Sequence, residues 1–376
     1  MKYIDEFRDG EKAQQIAQLI HQQVKEGQSY RLMEFCGGHT HAIFRYGLVD
    51  LLPDEVELIH GPGCPVCVLP IARLDMAIEL ARNPEVILCT YGDMLRVPAS
   101  GGTSLLKVRA DGGDVRMLYS PLDALDIARD NPDRQVVFFA IGFETTTPPT
   151  ALLLRQADQL GLTNLSIFCN HVLTPAAMHG ILKDGGPLNL DGFIGPAHVS
   201  TVIGSQAYQA FPEEYKKPVV IAGFEPLDVL QAILLLVRQL NEGRAEVENE
   251  FTRAVTQEGN LKARKLTNEV FTLRDSFEWR GLGSLPQSAL CLRPELAHLD
   301  AEQRFTFTSG QSRENKACEC PSVLRGLKKP HECKLFGNPC SPENPLGSCM
   351  VSSEGACAAY YSYGRYRTQE PLLAKG

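Results

Sequence analysis

Apolar and polar positions alternate along the first two thirds of the chain in a repeating β-loop-α rhythm. Ile16, Leu19, Ile20 and Val24 lie at helical spacing within 11–26 and predict a surface helix. Short apolar runs then predict strands at 31–35, 56–59, 86–90 and 115–119, with helical patterns at 71–81 and 122–130 between them. The rhythm restarts with strands at 136–141, 166–169, 192–194 and 219–222 and helices at 151–160 and 227–240. Strands alternating with helices imply parallel sheets covered on both faces. Beyond about residue 241 the rhythm stops. A charged helix-like stretch spans 244–255, and from Gln311 to Cys357 the chain is rich in Cys, Pro, Gly and Asn.

The expected fold class is therefore α/β, with two similar parallel-sheet α/β domains and a smaller Cys-rich domain. The expected units are an N-terminal helix over 1–30 that packs on the C-terminal domain, α/β domains over 31–131 and 132–240, and a C-terminal domain over 241–376. Two echoes support a duplication: Ile59-His60-Gly61-Pro62-Gly63 beside Ile194-Gly195-Pro196-Ala197, and Ile141-Gly142-Phe143-Glu144 beside Ala222-Gly223-Phe224-Glu225.

The chain has 376 residues, which is long for one core, and its 44% hydrophobic and 22% charged content is that of a globular protein. A net charge of −8 with no dense Lys/Arg cluster argues against a nucleic-acid surface. The apolar stretch around Ile233–Val237 is far short of the roughly 20 residues of a membrane span. The first residues carry no apolar signal-peptide core, so the expected location is the cytoplasm. In a reducing compartment the 12 cysteines then point to metal binding or redox work rather than a disulfide framework.

Chemistry concentrates at predicted strand ends, where parallel α/β sheets gather ligands. Cys36-Gly37-Gly38-His39-Thr40-His41 combines a thiol, two imidazoles and two glycines that allow positive φ or close approach. His39 and His41 are two apart and cannot share a helix face. Cys64-Pro65-Val66-Cys67 is a CxxC at a strand-to-helix junction; a redox dithiol is favoured, and half of a zinc site is the alternative. Glu144 and Glu225 are expected to face the cleft, and His171 and His198 are candidates to line it. Cys89, Cys169 and Cys291 read as core thiols. Cys318, Cys320, Cys333, Cys340, Cys349 and Cys357 place six thiols within 40 residues, which favours an iron–sulfur cluster over zinc. There is no GxGxxG, Walker A, HExxH or GxSxG motif, so nucleotide-dependent catalysis is unsupported.

Taken together, the CGGHTH segment at 36–41, Gly61-Pro62-Gly63-Cys64-Pro65-Val66-Cys67, Gly142-Phe143-Glu144-Thr145-Thr146 and Ser352-Ser353-Glu354-Gly355-Ala356-Cys357 resemble the HypD family of [NiFe]-hydrogenase maturation factors over essentially the whole chain. The resemblance implies a scaffold that, with a HypC-type chaperone, assembles the Fe(CN)2CO unit. Cyanide would come from a HypE-type donor with HypF upstream. It implies that Cys36 binds the iron with His39 beside it, that Cys64 and Cys67 form the redox dithiol, and that Glu354 belongs to the site. It further implies a [4Fe-4S] cluster on Cys-x12-Cys-x6-Cys-x16-Cys, which selects Cys320, Cys333, Cys340 and Cys357 and leaves out Cys318 and Cys349. A stand-alone thiol-disulfide oxidoreductase with a structural metal is the alternative function.

Overall fold

A computed structural model describes residues 4–183, 189–308 and 312–365. The outer ends of the expected 1–30 and 241–376 units, and Gln311, lie outside the described residues. The α/β class holds: two parallel sheets are followed by a Cys-rich region.

The strands in chain order are β1 (Tyr30–Glu34), β2 (Val56–His60), β3 (Val86–Thr90), β4 (Val115–Met117), β5 (Gln135–Gly142), β6 (Leu165–His171), β7 (Gly192–Pro196), β8 (Val219–Ala222) and β9 (Val247–Asn249). One sheet has the order β2-β1-β7-β8-β9 and the other β4-β3-β5-β6, and every pairing is parallel. The chain therefore leaves the first sheet after residue 60, builds the whole second sheet, and returns. Met33 pairs with Phe193 across that excursion. The expected grouping of strands within 31–131 and 132–240 does not describe the sheets. The central strands β3, β5, β6, β7 and β8 are buried on both faces, so their apolar runs carry no mark of which sheet they join.

Alternate residues of each strand separate the core. Val137, Phe139 and Ile141 face a central cluster, while Val136, Phe138 and Ala140 face helices Asp123–Asp130 and Thr147–Gln159. On the first sheet, Met33 enters the central cluster, whereas Leu32, Ile194 and Val220 face helices on the other side. The central cluster lies between the sheets and contains Cys64, Cys67, Cys320, Cys340, Cys349 and Cys357. The Cys-rich segment thus packs its cysteines into the core between the sheets.

Helix α1 (Gly10–Gln23), capped by Asp9, packs through Ala13 and Ile20 on the helix Pro226–Glu242 of the first sheet. Its expected seat on the C-terminal domain is not where it lies. Pro226–Glu242 is apolar nearly all round and so is covered on both sides, which gives α1 its surface. Gly243, at φ 67°, ends that helix. The stretch expected to be helical at 244–255 instead contributes β9, which pairs with β8 at the sheet edge.

The region after 260 holds two antiparallel strand pairs, Phe271–Leu273 with Leu290–Leu292 and Ser276–Trp279 with Gly283–Pro286. Arg73, from the helix Ile71–Arg82, makes a two-pronged ion pair with Glu302 at 2.6 and 3.0 Å and lies over the Phe168 ring. This contact ties the C-terminal region to the second sheet. Among the described residues no helix is long and apolar enough to cross a membrane.

Candidate functional site: a cysteine line between the sheets

Glu34 and His60 end neighbouring strands and stand side by side in register. Cys36 follows as the N-cap of α2 (Gly37–Tyr46). Glu34 is fully buried and accepts the Cys36 backbone N–H at 2.9 Å and the Thr40 hydroxyl, and its Oε1 lies 2.7 Å from His60 Nδ1. A carboxylate shut away from water is retained only where such partners satisfy it. This residue was hidden inside the apolar run Leu32–Phe35, where a lone acidic residue was the available signal.

The glycines of the motif serve close approach, not positive φ. Gly37 and Gly38 lie in the first turn of α2 and are absent from the left-handed glycines. A Cβ on Gly37 would come 2.6 Å from the Glu354 carbonyl oxygen, and one on Gly38 2.8 Å from the Phe224 ring. On Gly63 it would come 2.5 Å from the Cys36 Cα. Three separate segments therefore close on Cys36 because three side chains are missing.

Cys36 is buried, and its thiol is pushed well above the usual range by burial first and then by the Glu354 carboxylate. A thiolate here needs a cation for company. His39 places Nε2 3.0 Å from the carbonyl oxygens of both Ala222 and Gly223. Two acceptors fix the proton on Nε2, which leaves a lone pair on Nδ1, a buried nitrogen with no partner. Burial lowers the His39 pKa, so the ring is neutral. Phe224 lies between the His39 and His198 rings, at 4.7 and 4.1 Å. His41 turns instead toward Tyr363.

Several candidates have structural duties instead. Glu144 is buried, not cleft-facing: it accepts the Thr174 backbone N–H and hydroxyl, each at 2.9 Å. Glu225 belongs to the cap of Pro226–Glu242 and pairs with Arg8. His171 is buried against Thr150 at 3.0 Å. Cys89 and Cys169 are core thiols, but Cys291 is half-buried on a short edge strand and its Sγ lies 3.7 Å from the Thr272 carbonyl.

Cys64, the N-cap of the single turn α3 (Pro65–Val68), and Cys67, within that turn, are joined as a disulfide, with Cys64 Sγ accepting the Cys67 N–H at 3.3 Å. A second disulfide joins Cys320 and Cys349. Ser348 touches both pairs. Its Oγ donates to the Cys67 carbonyl at 3.1 Å and lies 3.7 Å from Cys320 Sγ, and its carbonyl is 4.0 Å from Cys67 Sγ. Ser348 carried no signal in the sequence beyond its place before Cys349.

Six cysteines line one pocket with Leu335, Phe336 and Met350. Four of them, Cys318, Cys333, Cys340 and Cys357, are free thiols. Burial raises the pKa of Cys357 and Cys318, and neighbouring thiols of the same four raise it further. The donors are spread round the pocket: no three His, Cys, Asp or Glu side chains among the described residues form a ready single-ion site. Four dispersed soft donors are the set an iron–sulfur cluster takes. Cys320, the expected first member of that set, is paired with Cys349, whereas Cys318 is a free thiol on the same pocket.

The fold and site define an α/β protein with a line of cysteines between its sheets, from a thiol at a strand end to a thiol-lined pocket. The chain belongs to the HypD family: the family model described as "Hydrogenase formation hypA family" matches residues 11–364. It is 72% identical to the hydrogenase maturation factor HypD of Azotobacter vinelandii and 62% identical to that of Cupriavidus necator, each over the full length of both chains. It is 46% identical to the factor of the same name from Escherichia coli over 98% of this chain and 99% of that one.

Proposed function

We propose that the chain is a hydrogenase maturation scaffold that holds an iron ion on Cys36 while, with a HypC-type chaperone, the Fe(CN)2CO unit is built on it. Cyanide is delivered by a HypE-type donor supplied by HypF. The family membership supports the role, and one observation carries the chemistry: Ser348 contacts both disulfides, so two thiol pairs stand next to each other, with Gly63, the residue before Cys64, packed on the Cys36 backbone.

Iron is the cargo. Its arrival offsets the burial that keeps Cys36 protonated, and the thiol proton leaves as the Fe–S bond forms. The His39 Nδ1 lone pair, buried with no partner, is a further donor on the same helix turn.

Exchange between the pairs needs no outside reactant. With Cys320 and Cys349 reduced, the Cys349 thiolate attacks Cys67 Sγ, a Cys349–Cys67 bond forms, and the Cys64–Cys67 bond breaks with its electron pair on Cys64. Cys320 then attacks Cys349, closing that pair and releasing Cys67. Two electrons have moved toward the iron site. Cys318, Cys333, Cys340 and Cys357 would hold a [4Fe-4S] cluster, which when bound supplies electrons one at a time.

Complementation of a maturation-deficient strain tests the reading. Cys36→Ala should abolish hydrogenase maturation while the purified variant still exchanges its disulfides. A fully active Cys36→Ala strain would sink it in favour of a stand-alone thiol-disulfide oxidoreductase, which the adjacent pairs also support.

A further inference from the structure

A second cavity borders the Cys320–Cys349 disulfide from the opposite side. This open cleft of about 790 Å³ is walled by the 96–107 loops, Arg280, and the 313–321 and 343–347 segments. Cys320 lines it and Cys349 does not. Arg96, Lys107, Arg280 and Arg313 outnumber its two carboxylates, Glu314 and Glu343. That excess stands out in a chain of net charge −8. Glu314 is paired with the buried Arg280 at 3.0 Å. The Lys107 ammonium donates to the Gly102 carbonyl and the Arg96 guanidinium to the Pro342 carbonyl, and Arg96 also lies near enough to Glu343 to help lower that carboxyl's pKa.

We propose that this cleft admits a small anionic thiol of peptide size, which reduces the Cys320–Cys349 disulfide by attacking Cys320. The inference rests on the reading of that disulfide as the partner of Cys64–Cys67. Three features fix the occupant. The cleft, at about 790 Å³, lies in the upper part of the range of ordinary ligand sites, which leaves room for a tripeptide. Cys320 is buried at its inner wall, so a slender thiol reaches it and a thiol on a folded protein's surface does not. The cationic wall gathers an anion and favours the thiolate, the attacking form.

The geometry also gives the reduction a direction. The incoming thiolate bonds to Cys320 Sγ, the Cys320–Cys349 bond breaks, and the electron pair leaves on Cys349. Cys349 is fully buried on the inner side, joined by Ser348 to Cys67. A second thiol attacks the thiol-side sulfur of the mixed disulfide and frees Cys320. The balance is two thiols oxidised to one disulfide and two electrons delivered to the protein pair.

The test uses the full chain, purified anaerobically with the pair closed. It is exposed separately to glutathione (anionic) and cysteamine (cationic), then quenched by alkylation, with each cysteine quantified by peptide mass spectrometry. Rates are normalised to those on a small soluble disulfide. Glutathione should then be favoured about tenfold at low salt. The preference should fall toward unity at about 0.5 M salt and in Lys107→Glu/Arg313→Glu, which alters two exposed side chains, and the adduct should form on Cys320. Equal normalised rates, or an adduct on Cys349, overturn the proposal. If the preference is present but Cys64–Cys67 stays oxidised, the cleft stands and the exchange between pairs falls. If the pairs exchange without any preference, the exchange stands and the cleft falls.

Discussion

Glu34 holds the backbone of Cys36 through a 2.9 Å hydrogen bond from Cys36 N–H to Oε2, while its other oxygen takes the Thr40 hydroxyl and the His60 ring. One carboxylate thereby fixes the entry to α2, its first turn and the end of β2. Glu34→Gln replaces one acceptor with an N–H2 group facing a donor. The expected loss is about 1–3 kcal/mol of stability, read from the urea midpoint. Glu34→Gln should also speed alkylation of the buried Cys36 thiol, and Glu34→Asp, which keeps the acceptors but shortens the reach, should show a smaller change in both stability and alkylation rate. If Gln matches wild type in both measurements, the carboxylate is not what holds the turn.

The glycines offer a second, graded test. Gly63→Ala drives a methyl into the Cys36 backbone, and Gly37→Ala drives one into Glu354. Each should cost about 1–3 kcal/mol by overpacking and should lower maturation in complementation, because the site walls must separate. Gly10→Ala is the control, since nothing lies within 4 Å of its Cβ position and its φ is ordinary. It should be neutral or slightly stabilising.

These residues also show how far the sequence could be read. Strand positions were legible because runs such as Val86–Thr90 are buried throughout and announce a covered parallel sheet. Their partners were not legible for the same reason: Leu32-Met33 and Ile87-Leu88 look alike, yet they belong to different sheets. The Cys36 and Cys64–Cys67 motifs were visible as residue types at strand ends. The choice between Cys318 and Cys320 was not, because two thiols two positions apart are separated only by what each meets across the fold. Glu144 misled because Gly-Phe-Glu at a strand end looks exposed, whereas Thr174 arrives from the next element to bury it.

Burial pushes the Glu144 carboxyl up to about 7 from an ordinary 4.5. The folded protein keeps a proton that the unfolded chain releases, so this contribution is present below pH 4.5 and lost as pH rises to 7. His171 runs the other way. Burial lowers it from 6.5 to about 4, and stability falls as pH drops through that window because the unfolded chain takes up the proton. Glu144→Gln keeps an acceptor for Thr174 and cannot ionise. Measured by urea unfolding between pH 4.5 and 8, it should gain on wild type as pH rises, by up to ~3 kcal/mol. A constant difference across that range would show that Glu144 does not titrate there.

The free thiols round the pocket distinguish Cys318 from Cys320 by outcome. Cys320 shares a disulfide with Cys349, whereas Cys318 is pressed against Gly347 and is raised in pKa by burial first and then by Cys333 and Cys340. Anaerobically purified wild type should be brown, with about four irons and four labile sulfides per chain. Cys318→Ser should lose most of that iron and its visible absorption, as should Cys333→Ser, Cys340→Ser and Cys357→Ser. Cys320→Ser and Cys349→Ser should keep the colour and the iron, since neither sulfur is needed to hold the group, and yet leave Cys64–Cys67 resistant to reduction through the second pair. The reverse pattern, with iron lost from Cys320→Ser and kept in Cys318→Ser, would return the first ligand to Cys320 and remove the second disulfide from the route to Cys36.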